Sequence, residues 1–502
     1  MQSAASLLLL LQASSAAAFA GAPPAIRPRF AVRTPAVVAS SADVRQKLSS
    51  AFLALLISLP PVPNAALAFQ EPPAVAVEAR QASTATRAAV DATATLTADA
   101  DLKTASKAPS RSYINLTGFP FPLGPFFERK TVMTDIVPGK VYGFEQEIRL
   151  SGISANVRST VFRMRDNHLL VYNPVAPTEE FMQQLQSLDH AGVSHILLGA
   201  TQYEHKIFVG PFARRFPNAK VWAVPDQWSF PVNLPAPLLG IDTKGTGGGE
   251  LLDTATGSNA YANAPDLTAE FEVKLLRPPE RLGFGYAANE AAVLHKDSKT
   301  LALTDALVNV PAKPTAVYDE GNLLAIGDNG RNTGSLGMYI LKAAGAVNWR
   351  GTASQDVETL YSASDRAPAE ASAAVMQRGW ERNALLSLYF GPSPKTLVDP
   401  DASFQDLADK WIVAPVTDTL IYRSDRIRPE ITRWIDDVAK WDFNMISPSH
   451  FMARPGTPED VRKAFAPTIA KAGDDSAKRP FADGDVKLLD DIAGALKAIK
   501  II

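Results

Sequence analysis

The chain has 502 residues, a formal net charge of −2, 46% hydrophobic and 20% charged residues, and no cysteine. Near-neutral charge gives no electrostatic basis for binding nucleic acid or an anionic membrane surface. The lack of cysteine excludes disulfides, thiolate metal sites, iron–sulfur clusters and a cysteine nucleophile. No stretch approaches the roughly 20 apolar residues that a spanning helix needs, so no transmembrane span is expected in the mature protein.

Residues 1–18 are apolar and Ala/Ser-rich, with a centre at Leu7–Leu11 and small residues Ala16-Ala-Ala18 at the end, a signal-peptide pattern. Residues 19–42 begin at Phe19 and carry Arg27, Arg29 and Arg33 with no acidic residue, which is transit-peptide composition. Residues 43–68 repeat a signal-peptide pattern: Arg45 and Lys47, an apolar run Ala51–Leu59, then Ala66-Leu-Ala68. An amphipathic or membrane-surface helix is the plainer reading of that third segment. Residues 69–110 are Ala/Thr/Ser-rich and cannot bury enough apolar surface to offset their ordering entropy, so a disordered linker is expected.

The texture changes near Tyr113. Strands are expected at Val141–Ile148, Val161–Met164, Leu169–Tyr172 and Ile196–Leu198. A helix over Thr178–His190 places Phe181, Leu185 and Leu188 on one face, with Thr178 as its start. A second helix is expected over His205–Asn218, a short strand at Val221–Val224, and a flexible Gly-rich insertion over Thr243–Ala264. Further strands fall at Phe271–Leu276, Ala291–His295 and Leu301–Leu303. Beyond Asp305 helices are expected at Met338–Ala346, Ala367–Leu386, Phe404–Ile412 and Ile431–Lys440. A strand follows at Met445–Ser447, then helix from Pro458. Strands alternating with helices argue for a layered α/β architecture.

Three of these strands end on metal-ligand residue types. Ile196–Leu198 leads to Glu204 and His205, Leu301–Leu303 to Asp305, and Met445–Ser447 to His450. Imidazole nitrogen and carboxylate oxygen suit zinc or iron. The plainer readings are that Asp305 caps a turn, that each His bonds backbone, and that Glu204 and His205 form a buried ion pair. His168 and His295 are expected in polar turns facing solvent, and His190 and His195 as packing or capping groups.

The blocks Asn167–Thr178, Glu204–Pro217 and Pro225-Asp-Gln-Trp-Ser-Phe-Pro231 resemble domain-of-unknown-function family 4336 of cyanobacteria, algae and plastids, related to the metallo-β-lactamase fold. The resemblance runs from about Tyr113 to Pro467. It implies a four-layer αββα metallo-β-lactamase-like sandwich over residues 111–470, preceded by a disordered leader and linker, with residues 471–502 as a helical tail. It also implies a depleted site. Where the wider superfamily has His-x-His-x-Asp-His this chain has Ala200-Thr-Gln-Tyr-Glu204-His205, Asn173 stands at an expected Asp, and Glu290 is nearest to a missing His. The implied ligands are His205, Asp305 and His450, with Glu204 or Glu290 as ligand or base. They suffice for at most one zinc, iron or manganese ion, or for none. Two functions follow. One is a plastid hydrolase-like enzyme acting on a small ester, thioester or amide. The other is a non-catalytic plastid binding or assembly protein whose partner is another plastid protein. The leader resembles the bipartite leader of algae with secondary plastids, and its third segment a thylakoid-lumen transfer signal.

Overall fold

Alternation along the strands sorts the apolar side chains into separate cores, and that sorting sets the layers. The computed structural model describes residues 108–114, 123–150, 153–229, 233–254, 258–278, 286–327, 369–470 and 477–498. The expected signal, transit and transfer segments and the helix at Met338–Ala346 lie outside them.

The first sheet has seven strands in chain order: β1 (Thr131–Val137), β2 (Val141–Leu150), β3 (Ile153–Arg163), β4 (His168–Tyr172), β5 (Gly192–Leu198), β6 (Lys220–Ala223) and β7 (Gly249–Glu250). Strands β1 to β4 pair antiparallel, and β4 to β7 pair parallel. The second sheet uses β8 (Phe271–Leu276), β9 (Glu290–His295) and β10 (Thr300–Leu303). A ribbon of β11 (Val308–Asn309) and β12 (Trp411–Ile412) stands apart from it, and β13 (Met445–Pro448) and β14 (Arg454–Pro455) complete it in the order β14-β13-β10-β9-β8.

In β4, Leu170 and Tyr172 point to one core, while Leu169 and Val171 point to another. In β9, Ala291 and Val293 join the first of these cores, while Ala292 and Leu294 turn away. The shared core therefore lies between the sheets, where Phe162, Leu197 and Trp222 meet Phe271, Val273 and Ala302. The outer face of the seven-stranded sheet is covered by α1 (Glu179–Gln186) through Phe181 and Leu185 and by α3 (Val209–Ala213) through Phe212, with α2 (Tyr203–Lys206) between them in sequence. The outer face of the five-stranded sheet is covered by α4 (Glu320–Gly327), α5 (Ala369–Tyr389), α6 (Arg428–Val438), α7 (Pro458–Ile469) and α8 (Asp483–Ala498). Helix, sheet, sheet, helix is the αββα order expected.

Local chemistry explains the departures. Thr178 caps α1, its side chain accepting from the Phe181 amide, but the helix stops at Gln186. The single helix expected over His205–Asn218 is two short ones. A continuous helix would require an N–H at Pro211, which has none, and its ring would clash with the Ile207 carbonyl. Pro211 instead occupies the first turn of α3, where no donor is needed. The expected helix Phe404–Ile412 ends at Leu407, and Trp411–Ile412 pairs with Val308–Asn309. Asp409 adopts a positive φ of 53° between them, which ends helical geometry. β1 and the first eight residues of β3 were not expected at all.

Candidate metal centre

Register decides where the ligand-bearing chains emerge. β10 and β13 are parallel, with Leu303 opposite Pro448, so Asp305 and His450 each leave two residues beyond a paired position at the same end of the sheet. β4 and β5 are parallel as well, with Tyr172 opposite Leu197, and β5 leads within six residues to α2. The two sheets touch at this end. Ala291 donates its amide to the Gly199 carbonyl at 2.8 Å, and Thr201 donates to the Asn289 carbonyl at 3.2 Å. Gly199 has no room for a side chain there, because a Cβ would lie 2.1 Å from the Tyr172 hydroxyl.

Four of the five residues singled out by the sequence come together. One ligand atom from each of Glu204, His205, Asp305 and His450 lies within 4.8 Å of all the others, and all four residues are buried. His450 Nε2 is 2.9 Å from Asp305 Oδ1, His205 Nε2 is 3.6 Å from the same oxygen, and Glu204 Oε1 is 4.0 Å from His450 Nε2. The imidazole rings meet edge to face with centroids 5.0 Å apart. His205 Nε2, His450 Nε2 and Asp305 Oδ2 have no hydrogen-bond partner. His450 Nε2 and Asp305 Oδ1 thus approach to 2.9 Å without hydrogen-bond alignment. Three orphaned buried atoms on converging ligand types are costly unless something accepts their lone pairs. A cation fits that requirement.

Burial works to raise the Asp305 carboxyl, but His450 and His205 beside it hold it well below the usual carboxylate range. Asp305 is therefore ionised and available as a ligand at neutral pH. Lys206, next in the chain, is buried and pushed down to about 7, with Glu204 opposing the shift. Its Nζ donates to the Trp228 carbonyl at 2.7 Å, which ties α2 to the aromatic loop after β6.

Glu290, expected as ligand or base, is not one of the converging four. Its carboxylate instead accepts the backbone amides of Thr304 (2.7 Å), Asp305 (3.1 Å) and Ala306 (3.2 Å), holding the turn that presents Asp305. Burial, with the neighbouring Asp305 charge, pushes this carboxyl up to about 8 against those amides. His295, expected in solvent, is buried and stacks on Phe271 with centroids 4.8 Å apart. It forms a second group with Glu270 and Asp297 whose ligand atoms also lie within 4.8 Å. There Asp297 is already held by Arg165 at 2.8 and 2.5 Å, and that guanidinium competes with any cation.

The residues that support the centre escaped sequence reasoning, apart from Glu290 and Asn173. Asn173 Oδ1 accepts the Gly199 amide at 2.8 Å, and its Nδ2 donates to Thr304 Oγ1 at 3.0 Å and Ser449 Oγ at 2.9 Å. One side chain thus links the three segments leading to the ligands.

Known proteins give the following likenesses. The metal-soaked Flv1 flavodiiron core from Synechocystis sp. PCC6803 aligns at 11% identity and a TM-score of 0.34, over 68% of this chain and 61% of that one. The flavodiiron protein from Giardia intestinalis aligns at 10% identity and a TM-score of 0.32, over 67% of this chain and 59% of that one. A metallo-β-lactamase from Pontibacter korlensis aligns at 17% identity and a TM-score of 0.26, over 41% of this chain and 86% of that one. The chain thus spans about three fifths of each flavodiiron structure. No curated protein matches. Among the described residues no helix is long and apolar enough to cross a membrane. The sequence itself matches one family across residues 138–401 and 398–466, and on that match the chain belongs to the family described as Domain of unknown function (DUF4336).

Proposed function

We propose that this protein binds one divalent metal ion and acts in a plastid as a hydrolase-like enzyme on a small ester, thioester or amide. The supporting observation is the convergence of Glu204, His205, Asp305 and His450 with three buried lone-pair atoms left without hydrogen-bond partners. His205, His450 and Asp305 would hold the ion, whose chemistry when bound is that of a Lewis acid at neutral pH. Glu204 would receive the proton released by the attacking water. With two His and one or two carboxylates the donor set suits zinc, iron or manganese, and it is too small for two ions. Metal content after purification and titration with zinc test the reading. A chain that takes up well under one equivalent of any of the three sinks it.

The burial of all four ligands supports a second reading, in which Glu204 is a fourth ligand and the site is closed and structural. The chain would then be a non-catalytic binding or assembly protein. Glu204→Gln separates the two. If Glu204 is the base, zinc affinity stays and turnover of a test ester is lost; if it is a ligand, affinity falls. The plastid assignment rests on the leader composition of residues 1–68. A fluorescent fusion of those residues that stays outside plastids would remove it.

A further inference from the structure

β3 carries polar side chains at alternate positions, Ser154, Asn156, Arg158 and Thr160, and all are buried. A strand of that pattern ordinarily keeps its polar face in water. Here the face meets the end of β13 in the other sheet, where Thr160 Oγ1 lies 2.7 Å from Ser447 Oγ. Asn156 makes the central contacts. Its backbone carbonyl is 2.6 Å from His450 Nδ1, and its Oδ1 accepts the Phe451 amide at 2.6 Å and the Tyr318 hydroxyl at 3.2 Å. Its Nδ2 donates to the Phe451 carbonyl and to Glu145 Oε2, both at 2.9 Å. Two residues on, Arg158 donates its backbone amide to the Ser449 carbonyl at 2.7 Å and its guanidinium to the carbonyls of Pro448, at 2.6 Å, and Phe451. Glu145 meets its charge at 2.7 Å. The backbone on both sides of His450 is therefore held from the opposite sheet.

A carbonyl has no proton to give, so Nδ1 of His450 carries a hydrogen, and Nε2 is the nitrogen left to face an ion. We infer that Asn156 is the positioning residue of the candidate metal centre. From the seven-stranded sheet it fixes the Nδ1–H tautomer of His450 and holds its Nε2 among the other ligands. The inference rests on the metal-binding reading above and extends it to a residue that would never touch the ion. Partners of this kind, one step removed from a metal, typically set affinity by about 10–100-fold.

The test uses the full chain with Asn156→Ala and Tyr318→Phe, the second removing only the hydroxyl on Asn156 Oδ1. Long-range nitrogen–proton NMR reads the His450 tautomer in metal-free protein, and zinc titration reads affinity. Expected are one Nδ1–H tautomer in the wild type, a mixture in Asn156→Ala with zinc bound about 10–100-fold more weakly, and a loss under about tenfold in Tyr318→Phe. A folded Asn156→Ala that keeps both the tautomer and the affinity overturns the inference and leaves the metal reading standing. A wild type that takes up no zinc overturns the metal reading, and the tautomer comparison alone then decides the role of Asn156. If Asn156→Ala does not fold, Tyr318→Phe decides: a second tautomer or weaker binding upholds the inference, and neither overturns it.

Discussion

Asn173 donates its side-chain amide to Ser449 Oγ at 2.9 Å, joining the end of β4 in one sheet to the residue before His450 in the other. The same amide reaches Thr304, before Asp305, and its oxygen takes the Gly199 amide at the end of β5. Asn173 adopts a positive φ of 50°, a conformation that Asn tolerates better than most residues. It answers a backbone need and a three-way hydrogen-bonding need together.

The first prediction concerns that hub. Asn173→Leu strands the buried Gly199 amide and removes both donated bonds. At about 1–3 kcal/mol for one stranded buried group, together with a strained backbone, the variant is expected to lose about 2–4 kcal/mol. Its urea midpoint measures this. A loss under about 0.5 kcal/mol, the range of a neutral surface change, would mean that the hub carries no weight.

Glu290 gives the second. Glu290→Ala leaves the amides of Thr304, Asp305 and Ala306 without their acceptor in a buried turn. A destabilisation of about 3 kcal/mol or more is expected, whereas Glu290→Gln retains one oxygen and loses roughly half as much. Equal losses in the two variants would show that the oxygen kept by Gln does not hold the turn.

How far the sequence showed this arrangement depends on range. β8, β9 and β10 were legible because apolar runs bounded by turn residues are local signals, and each ligand sits just beyond such a run. The Thr178 cap was legible for the same reason. β1, whose residues are mostly partly exposed, and the polar half of β3 were not. The burial of that polar half comes from contacts with the second sheet, which no window along β3 contains. Glu290 misled because a carboxylate near expected ligands reads as a ligand, and only the folded turn reveals three amides on it. His295 misled because its flanking Lys296 and Asp297 are polar, while its ring lies between Phe162 and Phe271.

The third prediction is thermodynamic linkage at the candidate centre. A metal that binds only the folded chain raises its stability by about 2.7 kcal/mol at a free concentration of 100 times Kd. Zinc should raise the melting midpoint of the wild type, and a chelator should reverse the rise. His205→Ala and His450→Ala should remove the shift, while His168→Ala, on the surface beside Asp166, should leave it intact. A shift that survives in both ligand variants would place the zinc elsewhere.

The fourth follows from His295. Burial, with Lys140 and Arg165 nearby, pushes its ring down to about 4 although Asp297 opposes the shift. The unfolded chain takes a proton near the ordinary value of about 6.5, so between the two values the unfolded state binds more protons. Stability then rises with pH. The contribution of the neutral ring is fully present above about 6.5 and is lost as pH falls through about 4, with a total near 3 kcal/mol at 1.36 kcal/mol per pH unit. His295→Phe keeps an aromatic ring between Phe162 and Phe271 and gives up only the 2.7 Å bond to Ser298 Oγ. Other groups titrate over the same range, so the readout is the difference between wild type and variant in urea unfolding at pH 7 and pH 4.5. The variant should lose less stability than the wild type on acidification, by about 2–3 kcal/mol. Parallel losses in the two proteins would show that the His295 ring titrates alike in the folded and the unfolded chain.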